Sequence, residues 1–375
     1  MVYLTLNRLK VGMKVGRSIY YGQSSLPLLI EGQILTQSII KKLDDRSVSG
    51  VYIQSDLFKD IDMNSERCIS DDVKIKMNNE IKIIYESILQ RGTLDKTIEK
   101  RISKLADTLI KQVLSKDQCL LNVIDIKSYD NYTYSHSINV GILAVLIGVR
   151  LGYSNIELSN IATAGFLHDI GKIDVPIEIV NKPKALTNEE FEEMKKHPQY
   201  AVSKLTNLLQ IPYSVLVGIE SHHEKYDGTG YPYSQLGNSI SEFGRVLAIA
   251  DVYDAITSSR SYRKAWSPDK AVEYMMTNTF THFDPKLIDE FLKIVLAYPV
   301  GTIVELSDGS IGVVIKNNPE FTLRPSIRII MPSEKRGQDI ELSHDNKYLN
   351  VTVIGSISDK EVLPEGLFDW LFNIN

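Results

Sequence analysis

Cysteine is scarce in this sequence. Among 375 residues there are two, Cys68 and Cys119. They match no zinc or redox spacing, which argues against a thiolate metal site or a disulfide scaffold, so free thiols in a reducing cytoplasm are expected. Long apolar runs are missing too: the longest, Val140 to Val149, is too short to span a bilayer. The start, MVYLTLNRLK, has neither the apolar core nor the cleavage site of a signal peptide. There is no excess of positive charge. A formal net charge of −5 argues against a protein that coats a nucleic-acid polymer, yet leaves room for a small phosphate ligand on a local basic cluster. There is no internal repeat and no low-complexity tract. The expectation is a cytoplasmic protein without membrane insertion.

What is present is ordinary globular composition, 43% hydrophobic and 24% charged, in a chain long enough for two or three domains. Residues 1–55 read as a small α+β regulatory or packing module, with strands near Ser18–Tyr21, Leu28–Ile30 and Val51–Ile53 and a helix over Gln37–Leu43. Residues 56–120 read as a polar linker (56–70) and a helical hairpin. In its first helix Ile81, Ile84 and Ile88 share a face. In its second, Ile98, Ile102, Leu105, Leu109 and Val113 recur at spacings of three and four, and Arg91-Gly92-Thr93 separates the two. Such stripes carry a dimer interface or a signal, or simply pack on their own domain, and packing is the reading adopted. Residues 121–297 are helix after helix. Residues 298–375 turn to strands: Thr302–Leu306 and Ile311–Ile315 flank the hairpin signal Ser307-Asp308-Gly309-Ser310, Ile327–Met331 and Val351–Ile354 follow, and a short helical tail lies near Leu367–Phe372. The fold class expected is therefore mainly α, with a small α+β module before the helical bundle and a small β extension after it.

The chemistry gathers around Phe166-Leu167-His168-Asp169-Ile170-Gly171-Lys172. Imidazole and carboxylate are good ligands for divalent transition metals. His136 shares a helical face with Val140, Leu143 and Ile147 and so points into the bundle. His168 follows Ile161 by seven residues on one face. His197 ends a helix that begins at the capping box Thr187–Glu190, and Pro198 stops that helix or starts the next. His222 and His223 are adjacent, and on a helix they point about a hundred degrees apart. Asp251 shares a face with Leu247 and Asp254, and a carboxylate in so apolar a helix is costly without a positive partner. Each alone has a bland reading as a core histidine or a salt bridge. Together they call for a shared partner, and a pair of cations is the simplest. His282 and His344 are given the bland reading.

The motifs His136, HDIGK (168–172), KHP (196–198), HHEKYDGTGYP (222–232) and AIADVYDAI (248–256), in this order, resemble the HD-GYP branch of the HD phosphohydrolase superfamily. The resemblance covers roughly residues 120–297, and the flanking modules are similar to those often joined to such domains. It implies an HD-type helical bundle that hydrolyses cyclic di-GMP to pGpG, and often on to GMP, around two or three metals, usually iron or manganese, with zinc an acceptable third choice for these ligands. Carried over by motif, the ligands are His136, His168, Asp169, His197, His222, His223 and Asp251. Asp169 bridges the metals, and Lys172 reaches the scissile phosphate. Asp254, Arg260 and Arg263 resemble positions that close the substrate pocket. By residue type alone, Tyr226, Tyr231 and Tyr233 in the loop offer rings to stack on a guanine, to pack the loop against the bundle or to face a partner. The GYP loop implies a contact with diguanylate cyclase (GGDEF) domains, and homodimerisation is left open. Trinuclear members have a glutamate four residues before the first histidine. Tyr132 stands there, so two metals are expected. The competing readings are a phosphodiesterase for another cyclic dinucleotide such as 3′,3′-cyclic GMP-AMP, and a catalytically silent cyclic di-GMP receptor.

Overall fold

Residues 1–20, 26–46, 48, 50–61, 68–91, 96–116, 119–122, 132–208, 210–258, 265–357 and 371–372 are described in the computed structural model. Strands β1 (Val2–Thr5), β2 (Ile19–Tyr20) and β3 (Pro27–Leu29), helix α1 (Gln37–Asp45) and strand β4 (Gly50–Ile53) make a small α+β layer. β1 pairs antiparallel with β4, Val2 opposite Ile53. Thr36 caps α1 by accepting from the Ile39 amide, one of the donors a helix start leaves without a partner. β1 was not anticipated, because its partner lies some fifty residues away along the chain.

Two long helices follow, α2 (Asp71–Arg91) and α3 (Lys96–Leu114). The stripes read from the sequence are buried, and they share one core with the helices after them. The packing reading of the hairpin therefore holds. The stretch 56–70 is less of a linker than its polarity suggests: Phe58, Cys68 and Ile69 are buried. The cysteines also differ from expectation. Cys68, just before α2, and Cys119, just after α3, form a disulfide, with Cα atoms 5.2 Å apart, a separation that suits such a bridge. Fifty-one residues separate them in sequence, and no spacing rule reveals a pair that only hairpin packing brings together.

The helical body comprises α4 (Tyr132–Arg150), α5 (Asn155–Leu167), α6 (Ile177–Val180), α7 (Asn188–Met194), α8 (His197–Leu208), α9 (Tyr213–Glu220), α10 (Glu242–Thr257), α11 (Pro268–Thr277) and α12 (Pro285–Leu292). The capping box at Thr187 forms as read, with Thr187 and Glu190 exchanging hydrogen bonds. His197, however, opens α8 rather than closing α7. Pro198 then sits in the first turn, where its missing N–H costs nothing. α4 and α5 cross very closely: a Cβ on Gly165 would fall 2.7 Å from the Gly141 Cα. Among the described residues no helix is long and apolar enough to cross a membrane.

Strands β5 (Ile303–Leu306), β6 (Ile311–Lys316), β7 (Ser326–Met331), β8 (Asp339–Glu341) and β9 (Val353–Ser356) form one antiparallel sheet in the order β8-β7-β6-β5-β9. Successive side chains on a strand point to opposite faces. Val304, Val314 and Ile329 accordingly join the core of the helical body, while their neighbours Ile303, Val313 and Ile330 join a second core with Val2, Leu4, Val51 and Ile53. The sheet is thus a wall buried on both sides, and the N-terminal layer closes its outer face. Polar ties reinforce this. The Tyr3 amide donates to the Gly301 carbonyl at 3.0 Å, and Arg328 reaches both carboxylate oxygens of Asp60 at 2.9 and 2.8 Å. Of the helical tail expected near Leu367–Phe372, only residues 371–372 are described.

Candidate metal centre

Seven residues named from the sequence meet at the centre of the helical body. His197, His222 and His223 form one group, His136, His168 and Asp251 a second, and His168, Asp169 and His222 a third, with ligand atoms in each group within 4.8 Å of one another. The Gly141–Gly165 crossing brings α4, which carries His136, against α5, which ends at His168. The backbone then tightens into the 3-10 turn Ile170–Asp174. There Gly171 lets α8 approach, since a Cβ on it would fall 1.9 Å from the His197 carbonyl oxygen. Glycine after His-Asp is therefore what admits His197 to the centre. Asp251 comes from α10, and His222 and His223 from the turn after α9.

The orientation of the rings is set from behind. His168 Nδ1 donates to the Gly165 carbonyl at 2.8 Å, His197 Nδ1 to Met194 at 2.8 Å and His222 Nδ1 to Ile219 at 2.5 Å. Each bond leaves Nε2 with its lone pair facing the centre, as metal-binding histidines require. His136 uses a carboxylate instead: its Nδ1 lies 2.7 Å from Asp254 Oδ2, whose other oxygen accepts from Asn139 Nδ2 at 2.8 Å. Asp254 is 1% exposed. Expected at the substrate pocket, it lies instead behind His136, because on α10 it is one turn further from the centre than Asp251. Arg260 and Arg263 lie outside the described residues, and so does the side chain of Tyr132.

Burial pushes the imidazole of His197 down to about 4 and that of His222 to about 3, with Lys172 and neighbouring imidazoles adding to the effect. Burial also opposes the charge on Asp169, yet Lys172, His168, His197 and His136 outweigh it and hold the carboxyl well below its ordinary range. Asp251 is held low in the same sense, chiefly by His136 against the cost of burial. Burial also lowers His168 and His223, whereas at His136 burial is outweighed by the carboxylates of Asp251 and Asp254, which raise the imidazole to about 9. Four neutral imidazoles and two ionised carboxylates are in the form that binds metal, and His136 must give up a proton to join them. His136 Nε2 is 3.1 Å from Asp251 Oδ1, and His197 Nε2 is 3.4 Å from His222 Nε2. His168 Nε2 is buried without a hydrogen-bond partner. A bare imidazole nitrogen among other nitrogens and two carboxylates is costly as a protein interior and well suited to divalent cations. The donor set fits a metal centre.

Lys172 Nζ is 2.6 Å from Asp169 Oδ2, and its side chain is one-third exposed, so it stands between the centre and solvent. Tyr231 stacks on His223, with ring centroids 4.8 Å apart. Its loop is held by Glu224, a residue the sequence reading passed over. The buried Glu224 carboxylate accepts from the amides of Tyr233 at 2.6 Å and Gln235 at 3.0 Å. Asn139 was also missed, and its signal was its place one turn after His136. Tyr233 points elsewhere, its hydroxyl donating to Glu220 at 2.6 Å. His282 stacks on Phe283, and its backbone carbonyl receives the Tyr226 amide at 3.1 Å, which props the same loop.

Residues 93–287 match the HD domain family, and residues 303–362 match a KOW domain associated with HD domains. A cyclic di-GMP phosphodiesterase of Pseudomonas aeruginosa is 31% identical over 359 residues, 89% of this chain and 86% of that protein. This chain belongs to the HD-domain family. A 3′3′-cGAMP-specific phosphodiesterase of Vibrio cholerae is 34% identical to this HD-domain chain over 191 residues, 48% of it and 36% of the relative. Among solved structures, an HDG"Y"P protein from Bdellovibrio bacteriovorus superposes with a TM-score of 0.50 at 18% identity, covering 77% of this chain and 97% of its own. That likeness extends the shared fold beyond the helical body.

Proposed function

We propose that this protein is a metal-dependent phosphodiesterase that hydrolyses cyclic di-GMP to linear pGpG. The observation that carries the reading is the set of inward Nε2 atoms, each engaged from behind through Nδ1, around two ionised carboxylates. The 31% identity to a named cyclic di-GMP phosphodiesterase over most of both chains supports the substrate. His136, His168, Asp169, His197, His222, His223 and Asp251 would hold two divalent cations, iron or manganese, with Asp169 shared between them. Bound there, such ions supply an activated water at neutral pH and offset charge on the phosphoryl oxygens. Lys172 is one turn from Asp169 and adds fixed positive charge where a non-bridging phosphate oxygen would sit. Asp254 keeps His136 in one tautomer and one orientation. Tyr231, held against His223, offers a ring face to a guanine at the edge of the centre.

The test is a product assay on metal-loaded protein with cyclic di-GMP, which is expected to yield pGpG. Metal-loaded protein that binds the dinucleotide and never cleaves it would make this a receptor instead. The resemblance to a 3′3′-cGAMP-specific enzyme favours one second reading, the same chemistry on the mixed dinucleotide. Comparing kcat/KM for the two substrates decides between them. The same proposal takes residues 1–55 as the regulatory input and the Tyr231 loop as the surface for a diguanylate cyclase domain.

A further inference from the structure

The hairpin helix α2 packs against α4, and its Tyr85 hydroxyl reaches the backbone beside the metal centre. Tyr85 is 4% exposed, on the same helix as the buried Ile81, Ile84 and Ile88. Its hydroxyl donates to the Phe166 carbonyl at 3.0 Å and lies 3.0 Å from Ser137 Oγ. Ser137 follows His136 directly, and Phe166 precedes His168 by two residues. The Phe166 carbonyl belongs to the last turn of α5, where carbonyls run out of helical donors. The Phe166 ring itself packs on Gly141, at the crossing that sets α4 against α5. Burial, and then the charge on Asp169, hold the Tyr85 phenol above its ordinary range, so it keeps the proton it donates.

We propose that Tyr85 is a positioning residue for the metal centre: its hydroxyl clamps together the two helix ends that carry His136 and His168, and so ties the N-terminal hairpin to the geometry of the ligands. Packing alone does not need this hydroxyl, since a phenylalanine would fill the same space. The two oxygens it joins belong to different helices, and each lies within two residues of a ligand. The Cys68–Cys119 bridge ties the hairpin at its base, and the Tyr85 hydroxyl ties it to the centre. The inference rests on the metal-centre reading and not on the identity of the dinucleotide.

The experiment is calorimetric titration of metal-stripped full-length protein with Mn²⁺, for wild type, Tyr85→Phe, Ser137→Ala and Ile88→Ala, each with a thermal melt. Ile88→Ala is the control, because it removes buried volume from the same helix and leaves the Tyr85 hydroxyl in place. Tyr85→Phe is expected to weaken Mn²⁺ binding severalfold, short of the roughly tenfold or more lost when a direct hydrogen-bond partner of a ligand is removed. Ile88→Ala is expected to lower the melting temperature while Mn²⁺ affinity stays at the wild-type value. If Tyr85→Phe does not fold, Ser137→Ala carries the test, with a smaller weakening expected in the same direction. Wild-type affinity in both hydroxyl variants, or equal weakening in Ile88→Ala, would overturn the proposal. Wild-type protein that binds no Mn²⁺ would instead overturn the metal centre. One that binds Mn²⁺ and leaves cyclic di-GMP intact would overturn only the substrate.

Discussion

The helical body and the two-faced β wall bury very different things. Around β5, β6 and β7 the side chains that join the two cores are Val, Ile and Leu, and the charged Arg328 of β7 is paired at the edge with Asp60 and Asp339. At the centre of the helical body, His136, His168, His197, His222, Asp169 and Asp254 are each at most 4% exposed. Burying such groups works against folding unless hydrogen bonds or cations compensate. Carbonyls, Asp254 and Asn139 satisfy the outer side of that cluster, while the inner side is left to nitrogens and oxygens that face one another. One region holds the chain together, and the other accepts a cost in stability so that ligand atoms converge.

Asp169→Ala should separate the two regions most sharply: turnover and bound metal vanish together while the far-UV circular dichroism stays native, and activity persisting in metal-free protein would break the contrast. Ile303→Ala should do the reverse. Truncating this fully packed wall residue should cost about 3 kcal/mol in urea unfolding, with the Mn²⁺ affinity of the folded protein unchanged. Gly171→Ala strikes the seam of the metal centre itself. Its added Cβ would meet the His197 carbonyl, and such overpacking costs about 2 kcal/mol. Unlike the wall variant, it should also weaken metal binding. Asp254→Asn keeps the shape behind His136 but removes its charge, and Mn²⁺ affinity should fall roughly tenfold with the melting temperature little changed. Arg328→Ala is expected to be the mildest. Its partners Asp60 and Asp339 are largely exposed, so the loss should stay under about 1 kcal/mol.

Much of the metal centre could be read from the sequence because its parts lie in helices and turns with local signals. His136 in step with Val140, Leu143 and Ile147, and Asp251 in an apolar helix, carry their inward direction in periodicity alone. The place of Asp254 was not legible. One turn of helix decides whether a carboxylate faces the centre or the back of a ligand, and that depends on how α10 lies against α4. Glu224 was missed because it acts on backbone amides, which leave no trace in residue type, and Tyr85 because its partners lie 52 and 81 residues along the chain. The wall was visible as separate strands, but not its second face. The partners of Ile303 and Val313 lie at the other end of the chain, in β1 and β4, and alternation within a strand does not say what covers each side. The cysteine bridge is the same problem in miniature.

The most direct single measurement is to add Mn²⁺ stepwise to metal-stripped protein under anaerobic conditions while following cyclic di-GMP cleavage. Hydrolysis to pGpG that rises with metal and levels off at two ions per chain is the expected result. Cleavage without metal, or none with two ions bound, would contradict a centre in which these imidazoles and carboxylates act through a pair of cations.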